Sequence, residues 1–221
     1  MRRVLVLRPE PGASATVERA RDRGLEAFAV PLFEIEPLPW DAPASTQFDG
    51  ILLTSANALP SAGEKTKAFR SLPLYAVGAA TADAARDAGF SVAAVGEADV
   101  DRLLGSIEPG LKLLHLCGRD RRAPAAAAHQ ITPVPVYRAK PIEAPDLSQA
   151  EGAVALIHSP RAGRRLAELV RDRGSIAIAA ISAAAAEAAD AGWAAVEFAA
   201  APNDDALLAL AARLCNKPDP E

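Results

Sequence analysis

The residues of this sequence that could do chemistry follow its apolar runs and are small, hydroxyl-bearing or cationic. They are four hydroxyl residues, two glycines, an asparagine and three arginines: Arg8, Ser55, Asn57, Gly78, Thr81, Gly118, Arg119, Ser159, Arg161 and Ser182. Hydroxyls, helix N-terminal N–H groups and guanidinium groups all bind carboxylates and phosphates. The set predicts a binding site for a ligand that carries several such groups.

Each of these residues also has a purely structural explanation. Ser55, Ser159 and Ser182 could be helix N-caps, and Gly78 could be only a turn residue. His158 could be a satisfied polar residue near a strand end. A binding role is favoured because the same residue classes recur after corresponding strands in two halves of the chain.

The motifs of several other enzyme classes are missing from the sequence. No GxGxxG follows the first apolar run, and neither a phosphate-binding GxxxxGK[ST] loop nor a GxSxG elbow occurs. Two cysteines, Cys117 and Cys215, and three histidines do not form a metal-ligand spacing. We therefore expect a site that works without cofactor or metal.

The elements that must position these residues alternate along the chain. Apolar runs such as VLVL (4–7) and ILL (51–53) end at polar or glycine-rich segments, and helix-like segments follow them. Strands of this kind, alternating with helices, build parallel sheets that are covered on both faces. The pattern predicts an α/β fold.

An internal repeat divides this α/β pattern into two copies. DGILLTSANA (49–58) resembles VALIHSPRA (154–162), with Ser55 aligned to Ser159 at an offset of 104 residues. The same offset aligns AVPLFEIEP (29–37) with PVPVYRAKP (133–141) and places Phe33 opposite Tyr137. Two similar domains are the expected result.

The proline-rich segments predict how the two domains are connected. We expect residues 1–31 and 144–221 to form a first, discontinuous domain, and residues 41–132 to form the second. Residues 32–40 and 133–143 would cross between them as a two-stranded hinge, because isolated ribbons tolerate proline better than central strands do. Tyr137 would then lie on the hinge, facing a cleft between the domains.

Composition and charge narrow the class of partner. The net charge is −4 and the isoelectric point is about 5.5, which does not indicate binding to nucleic acid or to an anionic membrane. No apolar run has the length of a signal-peptide core or a membrane span. Two cysteines make no disulfide framework, so we expect a reducing compartment and a cytoplasmic protein. No apolar stripe is left over after the two domains pack, so we expect a monomer whose partner is a small molecule.

The ordered set of motifs resembles the uroporphyrinogen-III synthase family of tetrapyrrole biosynthesis. The resemblance covers nearly the whole chain. It rests on VLVLRPEPGASA, FDGILLTSANAL, LPLYAVGAATADAARDAGF, LLHLCGRDRR, PVYRA, IHSPRAG, IAAISAAAAEAA and PNDDALLALAARL.

The resemblance implies a fold and a reaction. Members have two α/β domains joined by a two-stranded ladder, and they cyclise linear hydroxymethylbilane without cofactor or metal. The substrate loses its terminal hydroxyl to give an azafulvene, and a spiro intermediate then inverts the last ring. The tyrosine of the VY motif, which Tyr137 matches, is the family's candidate for assisting departure of the hydroxyl. Ser55, Thr81 and Ser159 match the family's ligands for substrate carboxylates.

The sequence departs from the family at a few positions. Ser182-Ala183-Ala184-Ala185 stands where members often carry Gly-Pro-x-Thr, and His158 stands where threonine is common. The segment 119–133 is short, which predicts that one helix of the second domain is trimmed. The alternative to an enzyme is a non-catalytic two-domain module that binds or senses a polyanionic small molecule.

Overall fold

The chain forms two units, one built from a continuous stretch of sequence and the other from both ends of the chain. Its computed structural model describes residues 2–96, 100–121, 123–125 and 128–216. Met1–Glu34 together with Pro141–Glu221 form one unit, called here the terminal unit. Ile35–Lys140 form the other, called the central unit. The sequence-based domain and hinge boundaries stay predictions beside this division.

Strands and helices alternate through the described part of the chain. The strands are β1 (Val4–Val6), β2 (Ala27–Ala29), β3 (Phe33–Pro37), β4 (Gly50–Leu53), β5 (Leu74–Val77), β6 (Val92–Gly96), β7 (Lys112–Gly118), β8 (Gln130–Pro141), β9 (Val154–Ile157), β10 (Ala177–Ala180) and β11 (Ala195–Phe198). The α-helices are α1 (Gly12–Asp22), α2 (Ala58–Ala62), α3 (Ala79–Asp87), α4 (Val100–Ser106), α5 (Pro160–Leu169), α6 (Ala183–Glu187) and α7 (Asp204–Cys215). None of the described helices is long and apolar enough to cross a membrane.

The terminal unit contains a five-stranded parallel sheet in the order β11-β10-β9-β1-β2. Its inner strands β1, β9 and β10 are buried along their whole length, as continuous apolar runs predict. Val4, Val6 and Leu156 pack with leucines of α7 in one apolar cluster. The ends of the chain therefore meet in a single core.

The central unit is built around a six-stranded sheet in the order β3-β8-β7-β4-β5-β6. Strands β4 to β8 run parallel to one another. Ile51 and Leu53 of β4 pack on one face of the sheet with α2 and α3, whereas Leu52 packs on the other face with Leu103 and Leu104 of α4. Both faces are covered, which is the arrangement that a parallel sheet needs.

The two sheets have the same strand order once the chain ends are allowed for. β9, β10 and β11 of the terminal unit correspond to β4, β5 and β6, while β1 and β2 correspond to β7 and β8. The terminal unit is thus a circular permutation of the central pattern. This confirms the prediction of two similar α/β domains with mostly parallel sheets flanked by helices.

Strand β8 explains the prolines of the PVPVYRAKP segment. Pro133 pairs with His115 and Pro135 with Cys117 of β7, so both prolines lie in the central sheet and not in an isolated ribbon. On the other side, β3 reaches only as far as the hydrogen bond from Leu38 N–H to the Val136 carbonyl. The prolines therefore lie where one side of β8 is open and no N–H is required.

Candidate functional site

The carboxyl edge of the central sheet brings three predicted residues together. β7 ends at Gly118, whose register partner on β8 is Tyr137, and β4 on the other side of β7 is followed by Ser55. Ligands of open α/β sheets bind at this edge, because the loops and helix N-termini that follow the strands converge there. Its local geometry therefore decides what the tyrosine can do.

A β-bulge directs Tyr137 toward this edge. Cys117 pairs with Pro135, but the next residue, Gly118, pairs with Tyr137, so Val136 is the extra residue on β8. Val136 is fully buried in the core of the central unit. A bulge of this kind shifts the side-chain alternation of a strand and can re-aim a residue at a functional site.

Gly118 provides the space that the tyrosine ring occupies. A Cβ atom at position 118 would lie 2.9 Å from Cζ of Tyr137 and 3.1 Å from its Oη. The backbone N–H of Arg119 donates to the Tyr137 carbonyl at 2.8 Å and holds the two strands together just beyond the glycine. Any side chain at position 118 would therefore displace the phenol.

The phenol of Tyr137 is protonated and has a hydroxyl neighbour. Burial raises its pKa, and a side-chain hydrogen bond with Ser55 opposes this by stabilising the phenolate. The Ser55 Oγ also accepts the Asn57 N–H at 3.2 Å. Because its pKa is raised, the phenol keeps its proton at neutral pH and can donate it to a ligand.

The other predicted residues of the central unit are placed less uniformly. Gly78 directly precedes α3. Its φ of +84° is a backbone conformation that glycine adopts without strain. Thr81 is buried on the inner side of α3, whereas Arg119 is exposed. Asn57 precedes α2 and makes no side-chain cap to it.

The carboxyl edge of the terminal unit carries a buried carboxylate that the sequence analysis did not single out. Asp204, the first residue of α7, has a side chain only 11% exposed. Its carboxylate accepts from Arg8 Nη1 at 3.2 Å and from Thr16 Oγ1 at 2.7 Å, and it also contacts Arg19. Arg8, which the sequence predicts to bind ligand, therefore already has a charged partner inside the unit.

His158 completes this cluster. Its Nε2 lies 3.3 Å from the Asp204 carboxylate, and its side chain is almost wholly buried. Burial lowers the pKa of His158 more than Asp204 raises it. Burial raises the pKa of Asp204, but His158, Thr16 and Arg8 together outweigh that effect and hold the net value well below the ordinary one.

Two predicted serines of the terminal unit act as helix caps. Ser159 accepts the Ala162 N–H at the start of α5, and Ser182 accepts the Ala185 N–H at the start of α6. Both belong to the residue types that cap helices best. The guanidinium of Arg161 lies 4.6 Å from the ring centre of Phe33, a cation–π arrangement.

The described residues hold no cluster of three or more His, Cys, Asp or Glu side chains that could bind a metal.

The sequence analysis missed Asp204 because an acid in the first helical turn is ordinarily explained by the helix dipole. The available signal was Thr16, a polar residue on the apolar, buried side of α1.

Comparisons with known proteins cover most of the chain. The family model described as uroporphyrinogen-III synthase HemD matches residues 14–209. The crystal structure of uroporphyrinogen-III synthetase from Helicobacter pylori is similar with a TM-score of 0.63 and 19% identity, over 97% of this chain and 100% of that one. A mutant uroporphyrinogen III synthase from Thermus thermophilus is similar with a TM-score of 0.55 and 16% identity, over 99% and 100%. No curated protein sequence is significantly similar to the chain.

Proposed function

The chain belongs to the uroporphyrinogen-III synthase family, cyclising lyases of heme biosynthesis, and we propose that Tyr137 is the residue that assists the first chemical step. The reaction cyclises hydroxymethylbilane to uroporphyrinogen III with inversion of ring D, through azafulvene and spiro intermediates. Tyr137 donates to the terminal hydroxyl of the substrate, which leaves as water.

The position of the Tyr137 phenol carries this proposal. The ring lies at the carboxyl edge of the central sheet in the space left by Gly118, and the Ser55 side chain interacts with the phenol. The phenol has a raised pKa and keeps its proton at neutral pH, so it is available as a hydrogen-bond donor. As the proton moves toward the leaving oxygen, Ser55 stabilises the phenolate that forms.

The remaining predicted residues are proposed as substrate ligands. The substrate carries eight carboxylates, and hydroxyls, glycine backbone groups and guanidinium groups suit them. The proposed set is Arg8, Ser55, Asn57, Gly78, Thr81, Gly118, Arg119, Ser159, Arg161 and Ser182. Arg119 is the strongest cationic candidate of the central unit because it is exposed directly beside Gly118 and Tyr137.

A product assay tests the proposal. Hydroxymethylbilane generated in situ is supplied to the protein, and isomers I and III are separated after oxidation. Tyr137→Phe should lower the rate of isomer III formation by about 10²-fold or more, as removal of a general acid does. Tyr75→Phe is the matched control, since Tyr75 is the other tyrosine of the chain, lies in the central unit and has a pKa that burial likewise raises.

The outcomes separate the role from the reaction. Equal rates for Tyr137→Phe and Tyr75→Phe would remove Tyr137 from the chemistry. Isomer I alone from the unmodified protein, together with saturable binding of the substrate, would instead favour a non-catalytic sensor module.

We also propose that the protein is a cytoplasmic monomer. Cys117 and Cys215 are buried free thiols, which suits a reducing compartment. Large apolar side chains exposed on the described surface are limited to Val95, Val196 and Phe198, fewer than a stable subunit interface requires. Light scattering coupled to size exclusion should give the mass of one chain, 22.9 kDa.

A further inference from the structure

A second polar site lies in the central unit and is lined by a different set of residues. A cavity of about 240 Å³ is lined by seven residues of β7, β8 and the segment that joins them: His115, Arg121, Ala123, Pro124, His129, Ile131 and Pro133. None of the residues proposed above as substrate ligands is among these seven, and none of the seven is acidic.

The cavity exists because the connection between β7 and β8 is short. Parallel neighbours are usually joined by a crossover helix that packs on the sheet. Here the described residues between Gly118 and Gln130 form no helix, which agrees with the trimmed segment expected from the sequence. Asp101 of α4 accepts the Ala125 N–H at 2.7 Å and anchors this connection over the sheet. The volume that a helix would fill is left open.

Three nitrogen atoms of the lining residues are buried without a hydrogen-bond partner in the described part of the chain. They are Nδ1 of His115, Nδ1 of His129 and Nε of Arg121. His115 is 1% exposed and His129 is 9% exposed. A buried polar atom without a partner costs free energy, so these atoms call for a ligand or ordered water.

The opposite nitrogens of the two imidazoles restrict what that ligand can be. Nε2 of His129 lies 2.9 Å from the Leu104 carbonyl, which can only accept, so Nε2 carries the proton and Nδ1 presents a lone pair. Nε2 of His115 lies 3.1 Å from Thr54 Oγ1, and this hydroxyl can either donate or accept, so the tautomer of His115 that carries its proton on Nδ1 is available to an anion. Nε of Arg121 is always a donor.

We propose that this cavity binds a small oxyanion that carries an O–H group, such as hydrogen phosphate or hydrogen carbonate. The charged oxygens accept from Arg121 and His115, and the O–H donates to Nδ1 of His129. A cavity of about 240 Å³ corresponds to roughly eight water volumes. It therefore holds such an anion with several waters.

Electrostatics exclude a cation from the same cavity. The guanidinium of Arg121 is close enough to contribute, after burial, to lowering the pKa of His115 to about 4. No acidic side chain among the lining residues offsets this charge. A metal ion held by the two imidazoles would face the arginine, whereas an anion gains from it.

Titration calorimetry in a phosphate-free buffer at pH 7.5 tests the proposal on the full chain. Inorganic phosphate, which is mostly HPO₄²⁻ at this pH, should bind in a saturable way with a stoichiometry of one. Sulfate has the same shape and charge but no proton, so it should bind at least about tenfold more weakly, since it cannot donate to His129. Hydrogen carbonate is the third probe, and competition with phosphate tells which anion binds more tightly.

Three variants locate the binding. Arg121→Gln and His129→Phe should each weaken phosphate binding about tenfold or more. Phenylalanine at position 129 fills the space of the imidazole but has no acceptor for the O–H of the anion. Arg86→Gln is the control, because Arg86 pairs with Asp83 on the exposed side of α3 in the same unit and carries the same charge. Its affinity should match that of the unmodified protein.

The proposal is overturned if neither phosphate nor hydrogen carbonate binds, which would leave water alone in the cavity. It is equally overturned if sulfate binds as tightly as phosphate, or if Arg121→Gln and His129→Phe leave the affinity unchanged. Formation of isomer III is a separate readout, so failure of this proposal and failure of the proposed role of Tyr137 are distinguishable.

Discussion

The two sheets have corresponding strand orders, but the polar side chains at their carboxyl edges make different contacts. In the terminal unit, Arg8 is bound to Asp204 and Ser159 caps a helix. In the central unit, Ser55 interacts with a phenol that keeps its own proton. The repeat aligns Tyr137 with Phe33, whose ring lies against the guanidinium of Arg161.

This difference shows why a residue type after a strand does not by itself identify a ligand contact. In the terminal unit, Arg8 and Ser159 already have partners within the fold. In the central unit, the phenol of Tyr137 keeps a proton that is proposed to serve the chemistry. Four substitutions and one pH profile test that division.

The largest effect should come from the buried carboxylate of the terminal unit. Asp204→Asn leaves Arg8 and Arg19 without this charged partner, so the free energy of unfolding should fall by about 3 kcal/mol. Urea unfolding measures it. Asp205→Asn is the control, because that neighbouring carboxylate is exposed beside Arg23, and its removal should cost less than about 0.5 kcal/mol. Equal losses for the two variants would break the comparison.

The next largest effect should come from acid, which acts on the buried histidine of the central unit. Burial and Arg121 lower the pKa of His115 from 6.5 to about 4 in the folded protein. Between these values the unfolded chain binds a proton that the folded chain does not. Stability is therefore complete above pH 6.5 and declines toward pH 4, by up to about 3 kcal/mol.

Urea unfolding across this pH range checks the prediction. His115→Gln should flatten the profile between pH 6.5 and pH 4, because it removes the group with the lowered pKa. A His115→Gln profile that follows the unmodified protein would show that another group causes the decline.

Gly118→Ala tests the space beneath the proposed catalytic phenol. The new Cβ forces the Tyr137 ring to move, and displacement of a reacting group by about 1 Å lowers turnover about 10²-fold. Gly105→Ala is the control, because an added Cβ there meets no atom within 4 Å. Isomer III formation is the measurement, and unchanged turnover in Gly118→Ala would mean that the ring position is not critical.

The smallest effects should come from the aligned serines, and they should differ in kind. Ser55→Ala removes the hydroxyl that lowers the pKa of the phenol and should reduce turnover about fivefold, the effect of one hydrogen bond. Ser159→Ala removes a helix cap and should lower the free energy of unfolding by about 1 kcal/mol. If both variants changed only stability, the two edges would be equivalent.

Much of the fold was predictable because it depends on local patterns. Continuous apolar runs predicted the buried strands, and the constant offset between the copies predicted the two similar domains. Asn203, which accepts the Ala206 N–H at the start of α7, follows directly from capping preferences. These features need only neighbouring residues to be recognised.

The site was less predictable because it depends on contacts across long stretches of chain. Arg8 and Asp204 are 196 positions apart, and no local pattern connects them. The bulge at Val136 cannot be read from alternation alone, since one extra residue reverses the faces of everything that follows. The cavity lined by His115 and His129 could not be predicted, because it depends on how the described residues between β7 and β8 fold without forming a helix.

The close contact between the Tyr137 ring and Gly118 means that the residue types at these two positions constrain each other. A substitution that adds a side chain at position 118 leaves β7 intact but fills the space that the Tyr137 ring occupies. Only a smaller residue at position 137 would relieve that steric clash. The two positions should therefore vary as a pair in related sequences. A tyrosine in the VY motif should signal an active enzyme only when a glycine ends the strand beside it.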